Sequence, residues 1–333
     1  MAQLEQPATT NACAAAKATS TAEVDELERP DSIYDDELSS YVSSVLDWEW
    51  KHGRRYHSYQ AGSYSFPNDE HEQNRLAVVH RIFYRALGDR LFVAPIDPDG
   101  LRILDIGTGT GIWPLQMGEL YPSAEIVGND LSPIQPQWLP SNVRFLVDDV
   151  EKEWVEPEPY DYIHSRYMCG AIRHWPKLVR QCYQNLKPGG WVEFMETNET
   201  PYSEDNSETA DNHVIKMLTL LAKACNKIER PLGPGPSLRG WVEDAGFTNI
   251  SQEIFKVPIG TWPKDRRLKE IGALMTLDIA EGVEAFTLVP FIEVLGWSKE
   301  DLARLNEKVL QDLRRTDQHI LYDVHVVTAQ KPA

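Results

Sequence analysis

The chain has 333 residues and 42% hydrophobic content, enough for a large domain with a full core, which excludes a small disulfide-stapled fold. Its 33 basic and 51 acidic residues give a net charge of −18, which opposes attachment to nucleic acid or anionic lipid. The scattered Cys13, Cys169, Cys182 and Cys225 form no CxxC pair and suggest neither a metal site nor a disulfide framework, and no run approaches the ~20 apolar residues of a membrane span.

Residues 1–32, rich in Ala and Thr and then acidic, have little to bury and are expected to be disordered. The spacing of Leu38, Tyr41, Val42, Val45 and Leu46 predicts a helix over 33–50, with the basic "KHGRR" from Lys51 to Arg55 as its solvated end. After an aromatic, turn-rich passage comes a second helix, in which Leu76, Val79, Phe83 and Leu87 share a face. Asp69 and Glu72 have capping-box spacing at its start. A helical N-terminal segment over 33–100 thus precedes the main domain, 101–333.

From Leu101 strands and helices interleave: "RILDIG", "GIWPLQMGELY", "AEIVGND", "VRFLVDD", "YDYIHS", "WPKLVRQCYQNL", the turn "KPGG" and "WVEFME". That alternation predicts an α/β fold with a doubly wound, mostly parallel sheet. "SLRGWVEDAGF" reads as a helix ending at Gly246, and "NISQEIFKVPI" and "DVHVVTAQ" as strands. Two helical blocks near 203–232 and 264–316 exceed what a minimal sheet domain needs and are candidates for a lid or a substrate wall.

In such sheets ligands sit past the carboxyl ends of the strands, at the turn after the first one. Gly107, Gly109 and Gly111 fall there, where glycine allows positive φ and close approach to the main chain. A dinucleotide fingerprint needs a small residue three after the second glycine, and Ile112 stands there, which disfavours an oxidoreductase. Asp105 would repel a pyrophosphate and attract an ammonium, or else simply cap the turn. Asp130, nineteen residues past Gly111, can accept both hydroxyls of a ribose. Asp148 or Asp149 can accept from an adenine amino group, Asp149 being the favoured one because neighbours on a strand point opposite ways, with the main chain at Val150 against the ring edge. Acidic ends on successive strands describe an adenosine ligand without phosphates.

Together, "LDIGTGTG", "VGNDLSPIQPQWLPSNVRFLVDDVE" and "LKPGGWVEFME" resemble the class I S-adenosylmethionine-dependent methyltransferases. "YSFPNDEHEQNR", "VPIGTWPKD" and the terminal "AQKP" look like the fungal LaeA-like group associated with secondary metabolism, over roughly residues 50–333. The resemblance implies a Rossmann-like sheet of seven strands. It also implies that S-adenosyl-L-methionine is the cofactor, with Asp105 on its amino group, Gly107, Thr108, Gly109 and Gly111 along its methionine part, and Asp130 with Leu131 at the ribose. Asp149 with Val150, or Asp148, would serve the adenine, Ser165 would lie on the sulfonium side, and Tyr59, Tyr64 and Asp69 would close over the cofactor. Asp69 serves equally well as a helix cap.

Methyl transfer needs alignment and exclusion of water more than a dedicated catalytic group. For a hydroxyl acceptor His164, or His174 in the next loop, is a candidate base, although a histidine on a buried strand is more often a core residue. Arg166 is a candidate for holding a carboxylate or phenolate, or for a structural ion pair. Most tryptophans read as packing, with Trp113, Trp175 and Trp262 as candidates to line a pocket. The expected partner is a small-molecule methyl acceptor, in the cytoplasm, with no metal. The alternative is a nuclear regulator of secondary metabolism acting through a protein partner, for which the acidic tail suits an interaction segment.

Overall fold

The computed structural model describes residues 47–333 apart from 61, 156–157 and 208–210. The expected disorder of 1–32 and most of the helix expected over 33–50 lie outside the described residues.

Where that helix was expected to end, the chain forms a hairpin instead. Strands β1 (Trp48–Lys51) and β2 (Arg54–His57) pair antiparallel, joined by His52 and Gly53 at φ of 50° and 80°. Two central residues at positive φ match the twist of a two-residue hairpin, so "KHGRR" is a turn and not a solvated helix end. Arg54 is buried and grips Asp69 through Nε and Nη2 at 2.6 and 2.9 Å. Helix α1 (Glu70–Ala86) starts on Asp69, whose carboxylate accepts from the Glu72 amide as the spacing predicts. The reciprocal half of a capping box is missing, because the Glu72 carboxylate turns inward to Arg75.

The main sheet follows in chain order: β3 (Arg102–Ile106), helix α2 (Ile112–Leu120), β4 (Glu125–Asp130), β5 (Val143–Val147), β6 (Tyr160–Arg166), α3 (Trp175–Asn185), β7 (Leu186–Thr197), the two-residue β8 (Tyr202–Ser203), α4 (His213–Lys227), α5 (Leu238–Asp244), β9 (Thr248–Ile259), α6 (Arg266–Thr287), α7 (Lys299–Asp312) and β10 (Ile320–Gln330). The spatial order is β5-β4-β3-β6-β7-β10-β8, with β9 also on β10. The pairs from β5 across to β7 are parallel, and β10 runs antiparallel to β7, β8 and β9. Seven strands are long, and β8 adds a short eighth. "KPGG", expected as a free turn, is absorbed into β7, where the register jumps from Tyr160↔Leu186 to Tyr162↔Trp191.

Alternation along the central strands sends neighbours to opposite faces. Ile103, Ile126 and Tyr162 pack with Trp113 and Met117 of α2. Leu104, Val127 and Ile163 pack with Trp175, Leu178 and Val242 of α3 and α5. Both faces are therefore covered, as a parallel sheet requires. A third apolar cluster lies beyond the parallel strands, where α1, α4, α6 and α7 pack over β9 and β10. The expected helical blocks become α4, α6 and α7, and they form this cap.

Candidate functional site

Beyond the carboxyl ends of β3, β4 and β5 the chain leaves a cleft of about 1130 Å³ of empty space, part of it open to solvent. Its floor is the turn between β3 and α2. Gly107 and Gly109 there have φ of +63° and +57°, a region that L side chains avoid. A Cβ at Gly107 would stand 1.9 Å from Met168 Sδ. The Gly107 amide donates to Asn129 Oδ1 at 3.3 Å and the Gly109 amide to Asp130 Oδ2 at 2.8 Å. The loop is thus pinned to the end of the neighbouring strand.

Of the residues predicted to meet a cofactor, Gly107, Thr108, Gly109, Asp130, Leu131, Asp148, Asp149 and Val150 line this cleft. Asp130 also accepts from the Ser132 amide at 2.9 Å. Burial, with the field of Asp105, raises its carboxyl to about 6. Asp148 and Asp149 both line the cleft, against the expectation that only one would. The alternation argument fails because β5 ends at Val147, and the two residues lie in the turn beyond it. One oxygen of each serves that turn, Asp148 accepting from the Asp149 amide and Asp149 from the Glu151 amide.

Asp105, Gly111 and Ser165 do not line the cleft. Asp105 lies under the loop, where Oδ2 accepts from Thr108 Oγ1 at 2.7 Å and Oδ1 meets His164 Nδ1 at 2.6 Å. Both oxygens are engaged inside the protein, so the residue fixes Thr108 and, through it, the turn. Gly111 gives up its side chain to the Phe145 ring, 2.4 Å from where a Cβ would stand. Ser165 is fully buried.

His164 is not placed to act as a base. Its ring is sealed under Trp113, stacked at 4.0 Å, and desolvation lowers its basicity. A carboxylate only accepts, so Nδ1 carries the proton toward Asp105, and the buried Nε2 has no partner among the described residues. His174 is exposed at the start of α3 and is not among the residues lining the cleft, although its amide donates to the cleft-lining Glu151. Trp113 lines the cleft, whereas Trp175 is core, stacked on Trp241.

Arg166 does line the cleft. Nη2 donates to His80 Nδ1 at 3.0 Å and the guanidinium lies over Phe83. No carboxylate forms an ion pair with it among the described residues. Desolvation lowers it to about 10, still cationic at neutral pH. His80 is consumed by this arrangement: its Nε2 meets Gln116 Oε1 at 3.0 Å, and burial with the Arg166 charge pushes it down to about 3. No group of three metal-ligating side chains occurs among the described residues.

The mouth is crossed by a strap from Ser63 to Asn68, which spacing did not single out beyond Tyr64. Asn68 Nδ2 donates to Ser132 Oγ at 3.1 Å across the opening, and Arg55 clamps Asn68 from behind. Asp69 anchors the strap from outside the cleft, and Tyr59 lies against Lys152 and is not among the residues lining the cleft. Tyr64 and Tyr167 line both this cleft and a second, more apolar chamber beside it. Tyr167 has φ of +60°, a strained conformation for a bulky residue. Asn68 and Asn129 lie inside quoted motifs without having been singled out there, and Tyr167 lies in none; each is defined by what the fold brings to it.

Against known proteins, residues 78–252 match the family described as a methyltransferase domain. The chain is 54% identical to methyltransferase pytC of Aspergillus terreus over 319 residues, 96% of this chain and 98% of that protein. It is 36% identical to secondary metabolism regulator LAE1 of Cochliobolus heterostrophus over 289 residues, 85% and 94% of the two chains. Among solved structures, Haemonchus contortus phosphoethanolamine N-methyltransferase 2 in complex with S-adenosyl-L-methionine aligns at 21% identity over 78% of this chain and 52% of that one, with a TM-score of 0.45.

Proposed function

Because the chain belongs to the S-adenosylmethionine-dependent methyltransferases, we propose that it methylates a small metabolite, with the cofactor in the cleft past β3, β4 and β5. The observation that carries this reading is one cavity lined by bare main chain at Gly107 and Gly109 and by the carboxylates Asp130, Asp148 and Asp149. Asp130 accepts from the ribose hydroxyls, each oxygen keeping a lone pair after one amide bond. Asp148 and Asp149 accept from the adenine amino group, and Val150 and Leu131 give the ring an apolar bed. Asp105 acts indirectly, by holding Thr108 and hence the main chain of the turn.

When bound, S-adenosylmethionine supplies a methyl carbon whose bond to sulfur breaks, with its electron pair going to sulfur, as the acceptor's lone pair attacks. The residues around it align the acceptor and keep water out. No histidine is free to take a proton in the cleft, since His164 is sealed and both nitrogens of His80 are engaged. Arg166, a cation with no carboxylate in ion-pair contact among the described residues, stabilises an acceptor that has already lost its proton to solvent, such as an enolate, a phenolate or a carboxylate.

Titration with S-adenosylhomocysteine tests the cleft. Saturable binding weakened about tenfold or more by Asp130→Ala supports it, and absence of binding sinks it. A regulator acting through a protein partner is the second reading, favoured by the identity to LAE1. It predicts that removing residues 1–32 abolishes regulation while cofactor binding survives.

A further inference from the structure

The second chamber, about 600 Å³ of empty space of which part is open to solvent, lies between α1, α4, α6 and the start of β10. Leu218, Leu221, Leu232, Met275, Ile279 and Phe286 make its walls apolar. It shares Tyr64 and Tyr167 with the cofactor cleft, and these two side chains form the partition between the cavities. At its base lies a buried ionic group. Arg75 donates from Nε and Nη2 to Glu72 at 2.9 and 2.6 Å, and from Nη1 to Asp278 Oδ1 at 2.6 Å. Two carboxylates against one guanidinium leave an excess of negative charge, and all three side chains are at most 3% exposed.

Asp278 lines the chamber, and no partner for its Oδ2 is found among the described residues. An acceptor oxygen beside apolar walls gains free energy when a donor meets it. Burial accordingly raises the Asp278 carboxyl, against the pull of Arg75.

Resting on the methyltransferase reading, we propose that this chamber is the acceptor's seat. It takes the apolar body of a small molecule carrying an N–H or O–H donor, which binds Asp278 Oδ2, while the group to be methylated projects between Tyr64 and Tyr167 into the cofactor cleft. The geometry selects for a compact, largely apolar acceptor with a donor on the side remote from its nucleophile. A polyanion or a peptide chain finds neither the charge nor the space.

Indole and benzofuran are near-isosteres, one with an N–H donor and one with an oxygen acceptor, and they serve as probes in ligand-observed NMR titrations of the full chain, with and without S-adenosylhomocysteine. Indole binds saturably in both states, and benzofuran about fivefold more weakly, the worth of one hydrogen bond. Filling the chamber by Met275→Trp weakens indole about tenfold and leaves S-adenosylhomocysteine affinity within about twofold. Leu218→Phe is the substitute should that variant misfold. In Asp278→Asn the amide oxygen stays with Arg75 and Nδ2 faces the chamber, so the preference inverts toward benzofuran. The proposal is overturned by absence of saturable indole binding, by equal affinities for the two probes, by indifference to the filling variant, or by displacement of S-adenosylhomocysteine by indole. Failure of S-adenosylhomocysteine to bind sinks the cleft reading alone, because indole still reports on the chamber without it.

Discussion

At the rim of the cofactor cleft the interacting groups lie near one another in the chain. Thr108 bonds Asp105 three residues back, and Gly109 bonds Asp130 21 residues on. In the helical cap Arg75 reaches Asp278 across 203 residues, and the chamber walls come from α4, α6 and a segment before α5. On the proposed reading the rim recognises through main-chain conformation and carboxylates, which force particular residue types at fixed spacing. The cap, on the same reading, recognises through shape, which many apolar sets can fill. The rim is therefore written as a motif, and the cap only as a folded arrangement.

The sharpest way to break this contrast is to remove the cation of the cap. Arg75→Met strands two buried carboxylates and is expected to cost about 3–5 kcal/mol in urea unfolding, with cofactor affinity of the folded fraction unchanged. A loss below about 1 kcal/mol would show that the ionic group does not hold α1 to α6. Next in size is a backbone test of the rim. Gly107→Ala meets Met168 at a positive φ and is expected to weaken S-adenosylhomocysteine by about 1–3 kcal/mol. Gly189→Ala, also at positive φ but with nothing within 4 Å, should leave that affinity unchanged.

A smaller effect concerns pH. Glu196 is fully buried, accepts from the Met168 amide at 2.7 Å, and is raised by desolvation to about 8. The folded chain then keeps a proton that the unfolded chain releases above its ordinary value of 4.5. Stability is therefore present below that value and is lost as pH rises toward 8, by about 1 kcal/mol between pH 7 and 8. Thermal unfolding of Glu196→Gln should show a flatter profile over that interval, and an unchanged slope would place the titration elsewhere. Smallest is Asn68→Ala, which cuts the tie of the strap to Ser132 and should speed S-adenosylhomocysteine release about fivefold in stopped flow.

The alternation of strands and helices and the glycine turn were legible because period-two alternation and positive-φ glycine leave few alternatives, and Asp130 lines the cleft at the strand end where its spacing put it. Asp105 was legible as important, but spacing places a residue at a strand end without saying which groups claim its oxygens, and in the fold Thr108 and His164 each claim one. The same limit applies to His164, whose burial under Trp113 depends on α2 packing on β6. The hairpin at Trp48–His57 was hidden by apolar spacing that fits a helix, although the His-Gly pair between aromatic residues held the signal. Glu72 and Arg75 had helical spacing for a pair, but nothing local announces Asp278.

Leu218, Met275 and Phe286 belong to the helical additions, apart from the turn and carboxylates that face the cleft. If the chamber seats the acceptor as proposed, their replacement alters which molecule fits without disturbing the methyl source. A lineage built on that plan could then exchange one client for another by drift in a handful of aliphatic positions while the rim stays as it is.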